Sequence, residues 1–160
     1  ITINYIMSSY TITLTNRISI GTDTDFRCQL QDPLIINPNS YVQVLSAYIR
    51  KGASAVDPNG VYITIPEFSS SQTYWSNQDG NSCRNGMICC VNSFPGLAAS
   101  TDDIINFSVN TPKISLNNQK INLNSLNIQL RDRTNAIINP AIIDVVSITI
   151  QITDNINLLS

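Results

Sequence analysis

The sequence predicts an all-β domain and, within that class, an eight-stranded antiparallel β-sandwich of the jelly-roll type. Three observations carry the prediction. Apolar residues recur with period two along most of the chain, as strands with one buried face require. No window of about a dozen residues holds the 3.6-residue apolar stripe of an amphipathic helix. The composition favours β-branched side chains, with about 25 isoleucines, and draws its polarity from about 20 asparagines with Ser, Thr and Gln instead of charge.

Residues 1–10 read as an N-terminal arm. Ile12, Leu14, Ile18 and Ile20 then share one parity in a first strand, and Phe26, Cys28 and Leu30 share one in the next, with Arg27 and Gln29 between them. Both are expected to be half-buried. Tyr41 to Ile49 is nearly continuous apolar, with Val42 and Val44 on one parity and Leu45, Ala47 and Ile49 on the other. That pattern fits a central strand covered on both faces or a bulge near Leu45. Asp57-Pro58-Asn59-Gly60 is a turn, because Pro presets φ and Asn-Gly tolerates positive φ. Val61, Ile63 and Ile65 start a fresh strand that Pro66 ends.

Residues 67–86 form a long polar loop around Tyr74 and Trp75, and residues 92–103 a second loop broken at Pro95-Gly96. The short apolar run Met87 to Val91 lies between them. Ile105, Phe107 and Val109 alternate again, and Ile114 with Leu116 extends beyond Pro112. Leu126, Ile128 and Leu130 alternate with Asn127, Gln129 and Arg131 before Asp132 to Asn135 turns the chain. In the final strand, Ile142 to Thr153, Val146, Ile148, Ile150 and Ile152 face one way and Ser147, Thr149, Gln151 and Thr153 the other. Eight or nine such strands with no helical pattern between them give a two-sheet sandwich or barrel.

The chain's 160 residues fit a single domain, 1–160, and 42% hydrophobic content supplies its core. Nine basic against eleven acidic residues leave a net charge of −2, so no basic surface awaits nucleic acid or anionic lipid. No apolar run approaches the ~20 residues of a membrane-spanning helix. The start, Ile1 to Tyr10, lacks the basic flank and apolar core of a secretory leader, and the chain reads as soluble.

The residues that carry most chemistry are scarce. There is no histidine, which removes the commonest general base and nitrogen metal ligand. A carboxylate pair for glycoside hydrolysis would need two converging acids, but Glu67 is the only Glu and the Asp residues sit mostly in turns. Asp23-Thr24-Asp25 and Asp102-Asp103 are short acidic groups that suit turn and capping duty better than calcium. No Gly-rich phosphate cradle is present. Cys28, Cys83, Cys89 and Cys90 lack the repeated C-x2-C spacing of a zinc site. They are expected to be free and to pack as small hydrophobes, with a disulfide from Cys83 as the alternative. The Asn106-Phe107-Ser108 sequon falls within a strand and is read as accidental. No enzyme, cofactor or metal site is therefore expected. Tyr74 and Trp75 are the leading candidates for a contact with a sugar or protein partner, against the simpler role of a ring folded over the sandwich edge. Arg131-Asp132-Arg133 reads as a solvated hairpin tip, with a charged recognition hook as the alternative.

Three stretches resemble a known family. Asp32-Pro33-Leu34-Ile35-Ile36 with Tyr41 to Ile49, then Val61-Tyr62-Ile63-Thr64-Ile65-Pro66-Glu67-Phe68, and finally Leu123 to Asp132 with Ile142 to Ile152 are similar to strands of the single jelly-roll minor capsid, or penton, proteins of virophages and polinton-like double-stranded DNA viruses. The resemblance runs loosely from Ile12 to Ile152 and leaves both long loops and the segment Cys83 to Cys90 unmatched. It implies a virion protein without catalytic residues, a homopentamer closing an icosahedral vertex among double jelly-roll major capsid proteins, with no direct contact to nucleic acid. The competing class is a carbohydrate- or receptor-binding sandwich, lectin-like or a trimeric fibre knob, which stoichiometry separates from a penton.

Overall fold

A computed structural model describes residues 5–52, 61–68, 87–91, 113–116, 120–132 and 134–157. Its elements are β1 (Tyr5–Thr15), η1 (Asn16–Ile18), β2 (Ile20–Gly21), β3 (Asp25–Ile36), β4 (Tyr41–Lys51), β5 (Val61–Thr64), η2 (Pro66–Phe68), β6 (Met87–Val91), β7 (Ile114–Ser115), β8 (Ile121–Arg131), η3 (Pro140–Ile142) and β9 (Ile143–Asn157). Among the described residues every strand pairing is antiparallel. One sheet has the order β1-β9-β4-β7 and the other β2-β3-β8-β5-β6. The two form a β-sandwich in which the two-residue β2 is an edge addition to a four-stranded layer.

The inner faces follow from period-two alternation. Val146, Ile148, Ile150 and Ile152 of β9 join Leu126, Ile128 and Leu130 of β8, Phe26 and Cys28 of β3, and Val61 and Ile63 of β5 in one buried cluster. Ser147, Thr149, Gln151 and Thr153 stay half-exposed on the outer face of β9, as the alternation requires.

The near-continuous apolar run in β4 is explained by a bulge. The register with β9 shifts between Val44 and Ser46. The extra residue, Leu45, is exposed, and the parity change turns Ala47 and Ile49 onto the same core face as Val42 and Val44. A second interruption, between Gln29 and Leu34 of β3, accommodates Pro33, which has no N–H to give a ladder.

Two expectations are corrected. Residues 5–10 are not an arm: Tyr5 to Tyr10 is the first half of β1, paired residue by residue with β9. Ile18 and Ile20 do not continue the core parity of Ile12 and Leu14. β1 ends at Thr15 because Thr15 Oγ1 accepts the Arg17 N–H and caps a 3-10 turn, which breaks the alternation and turns both isoleucines outward. Of residues 67–86, Glu67 and Phe68 lie in η2 with Phe68 buried. The expected turn at residues 57–60, the remainder of that loop, the loop at 92–103 and the run Ile105 to Val109 lie outside the described residues.

The chain's one glutamate has a structural partner. Where β5 stops, Glu67 Oε1 and Oε2 accept the Asn127 backbone N–H of β8 at 3.1 and 3.2 Å, and Asn127 Nδ2 donates to Oε1 as well. A side chain thus satisfies a backbone donor that the short strand cannot reach. Truncating the core face of β9 by Ile150→Ala is expected to lower unfolding free energy by about 2–5 kcal/mol, whereas outward Thr149→Ala costs less than about 1 kcal/mol. Chemical denaturation midpoints check both.

Candidate interaction surface

Strand directions bring particular connections to one end of the sandwich. β1 ends at Thr15 opposite Ser147 near the start of β9, and β4 ends at Lys51 opposite Ile143. In the other sheet, β3 starts at Asp25 opposite Gln129 near the end of β8, and β5 starts beside Arg131. Residues 16–24, 132 and 134–142 therefore share this end.

Asn16 fastens it. Its Nδ2 donates to Asp23 Oδ1 at 2.7 Å and to the Asp144 carbonyl at 2.9 Å, and its Oδ1 accepts the Val146 N–H at 3.0 Å. One amide side chain thereby joins the β1–β3 connection to the start of β9. Ser19 Oγ donates back to the Asn16 carbonyl at 2.9 Å. Arg17 and Arg50 both pair with the Asp144 carboxylate, the first at 3.2 Å.

The two connections are also bonded to each other. Buried Thr24 donates its hydroxyl to the Ile138 carbonyl at 2.7 Å, and its own carbonyl accepts the Leu130 N–H at 2.8 Å. The Ile138 N–H returns to the Leu130 carbonyl at 2.9 Å. Asp132 Oδ1 accepts from the Thr134 N–H, the Thr134 hydroxyl and the Ala136 N–H, closing the turn, and Arg131 Nη1 donates to the Asn135 carbonyl at 2.7 Å. Gly21 sits at φ +131°, where a Cβ would stand 2.4 Å from the Asp25 carbonyl oxygen, so only glycine makes this turn without strain.

What this fixed framework presents is apolar. Ile18 is 88% exposed, Ile20 74% and Ile137 40%, on segments tied into the fold by the Ser19–Asn16 bond, the β2–β3 pairing and the Arg131–Ile137 bridge. Large side chains held outward on an immobilised backbone lose little further entropy when another surface covers them.

The residues that sequence reasoning weighed for chemistry have structural partners instead. Asp23 is engaged by Asn16, Thr24 by Ile138, and Asp25 lies 3.5 Å from Gln129 Nε2. Among the described residues no group of three His, Cys, Asp or Glu could hold a metal ion. Cys28 is a free, buried thiol whose pKa is pushed up mainly by burial, and its Sγ lies 3.5 Å from the Thr15 carbonyl it donates to. Cys89 and Cys90 lie on β6, opposite Ile63 and Tyr62 in register. Tyr74, Trp75, Cys83, Arg133, Asp102, Asp103 and the Asn106 sequon lie outside the described residues. Sequence reasoning missed Asn16 and the outward isoleucines. The available signal was Asn16-Arg17, a polar pair interrupting an alternating run.

The Asp144 carboxyl is held below the ordinary carboxylate range, first by the hydrogen bond from Arg50, against the opposing effect of burial, with the charges of Arg17 and Arg50 adding. A carboxyl depressed in the folded state stabilises above its unfolded value, about 3.9, and that contribution disappears as pH falls through the folded value. The stability difference between the wild type and Asp144→Asn is therefore expected to be present at neutral pH and to vanish on acidification through this window, as unfolding midpoints measured across pH would record.

No protein-family model matches the chain, and no curated protein is significantly similar to it in sequence, so the chain's own strand order and surface carry the functional reading.

Proposed function

We propose that this protein is a structural subunit of a viral capsid: a penton subunit that assembles as a homopentamer and closes icosahedral vertices among double jelly-roll major capsid proteins. The observation that carries the reading is the strand order. With β2 set aside, the pairs β1·β9, β3·β8, β4·β7 and β5·β6 are those of one long hairpin with its tip at β5 and β6. The further pairings β4·β9 and β5·β8 are what winding that hairpin into two layers would add. This supports the jelly-roll topology, which recurs in viral capsid and lectin domains.

Fold alone does not assign function. The loop end adds to it: a bonded framework with Ile18, Ile20 and Ile137 outward suits contact with another copy better than capture of a polar small molecule, which would need convergent polar groups in a concavity. A ring contact is heterologous, so each subunit meets its neighbour through two different patches, and the loop end is assigned to one of them. The resemblance of three strand segments to virophage and polinton-like penton proteins points the same way, and a penton subunit would reside in the virion.

Light scattering across a concentration series tests the reading. A species near five times 17.6 kDa is expected, and Ile18→Asp with Ile20→Asp is expected to shift it to smaller species while leaving the thermal midpoint unchanged. A stable trimer, or a monomer at every concentration, contradicts the proposal.

A further inference from the structure

The outer edge of β1 is a second candidate contact, distinct from the loop end. β1 is the terminal strand of its sheet, and among the described residues no strand lies on its far side. Its eleven residues, Tyr-Ile-Met-Ser-Ser-Tyr-Thr-Ile-Thr-Leu-Thr, contain no charge, no Pro and no Gly, and the register with β9 runs unbroken from Tyr5 to Thr15. Of the usual protections of an edge, a charged side chain, a proline, a bulge and shortness are missing from β1. The other sheet differs, since its edge beside β3 is the two-residue β2.

The direction of the backbone groups follows from Asn16. It bonds Asp144 and Val146, so the even-numbered residues of β9 point their backbone groups toward β1. By register, Tyr10, Ile12 and Leu14 answer Ile152, Ile150 and Ile148. Because these directions alternate along a strand, the N–H and C=O groups of Ser9, Thr11 and Thr13 face the open edge. The side chains of Ser9, Thr11 and Thr13 are exposed.

The sequence itself indicates the occupant. The strand that β1 accepts on its inner edge reads Ser147-Ile148-Thr149-Ile150-Gln151-Ile152-Thr153, and β1 reads Ser9-Tyr10-Thr11-Ile12-Thr13-Leu14-Thr15. Position for position, hydroxyl or amide alternates with a large apolar residue in both. β1 of another copy therefore offers the open edge nearly the pattern that β9 offers the paired one. We infer that two copies of this chain pair antiparallel through their β1 edges about a two-fold axis at Thr11, so that Thr11 faces Thr11 and Ser9 of each copy faces Thr13 of the other. Such Thr and Ser pairs are favourable across strands, and with no charge in β1 no like charges meet at the axis. A two-fold contact closes after two copies, so it does not depend on a ring, and where it forms, at concentrations above ring closure, it joins rings into species heavier than the pentamer.

Charge placed at the axis tests the pairing. Thr11→Lys and Thr11→Glu, each alone, set like charges opposite one another and are expected to raise the concentration needed for pairing on the order of fivefold or more in sedimentation equilibrium. An equimolar mixture of the two is expected to pair at least as well as the wild type. Ser9→Lys combined with Thr13→Glu in one chain, which sets opposite charges face to face, is expected to retain pairing, while Ser9→Lys with Thr13→Lys loses it. Ile18→Asp leaves all of these results unchanged, which separates this contact from the loop end. Single variants that associate like the wild type, or a mixture no stronger than its components, would overturn the inference.

Discussion

The double pairing of β9 is the constraint on which the rest of the structure depends. This fifteen-residue strand is bonded along one edge to β1 and along the other to β4, while Ile148, Ile150 and Ile152 fill the space between the sheets. β1 has no other strand partner among the described residues, so its position follows from β9. The start of β9 also anchors the connection from β1 to β3 through Asn16, Arg17 and Asp144. The order of the sheet and the placement of the loop end thus have one cause. A strand inside a sheet with one core face must satisfy backbone groups on both edges and bury its apolar face at the same time.

Rigidity at the loop end has a functional consequence. Polar side chains there are largely consumed by internal bonds: Asn16 makes three, Asp132 accepts three, and Asp144 pairs with two arginines. Little polar capacity is left for orienting a reacting group, whereas apolar side chains are held in the open. The opposite end has a parallel arrangement, in which the buried Asp154 carboxylate accepts from Ser40 Oγ at 2.5 Å and from Asn37 Nδ2 at 2.9 Å, holding the β3–β4 turn to the end of β9. Tyr10 spans the sheets near it, donating to the Ile35 carbonyl at 3.1 Å, with its pKa pushed up to about 12 by burial and by the charge of Asp154. Both ends of the sandwich are thus tied to β9.

Much of the fold was legible in the sequence because period-two alternation is a direct image of a half-buried strand. The end of β8 at Arg131 and the start of β9 near Ile143 could be read, although Ile121 to Ser125 and Asp154 to Asn157 extend these strands beyond the alternating runs, and Leu45 marked its own bulge by the parity change on either side. The first strand was misread for the same reason. Ile18 and Ile20 keep the parity of Ile12 and Leu14, but alternation cannot register that a Thr cap and a 3-10 turn have ended the strand between them. The arm assigned to residues 1–10 failed because Tyr5 to Ser9 show no clean alternation, and long-range pairing with β9 alone makes them a strand. The candidate interaction surface was not legible at all. Asn16 is one of many asparagines, and its importance lies in partners more than a hundred residues away, Asp144 and Val146.

β9 is the spine of the fold, and under the proposed function the loop end is the surface that changes when copies assemble. Amide hydrogen exchange on dilute and on assembled protein tests that division directly. The amides of Val146 to Ile152 are expected to exchange only through global unfolding at every concentration, while those of residues 17–24 and 136–138 gain protection on assembly. Exchange in β9 as fast as in the turns, or loop-end amides indifferent to assembly, would contradict it.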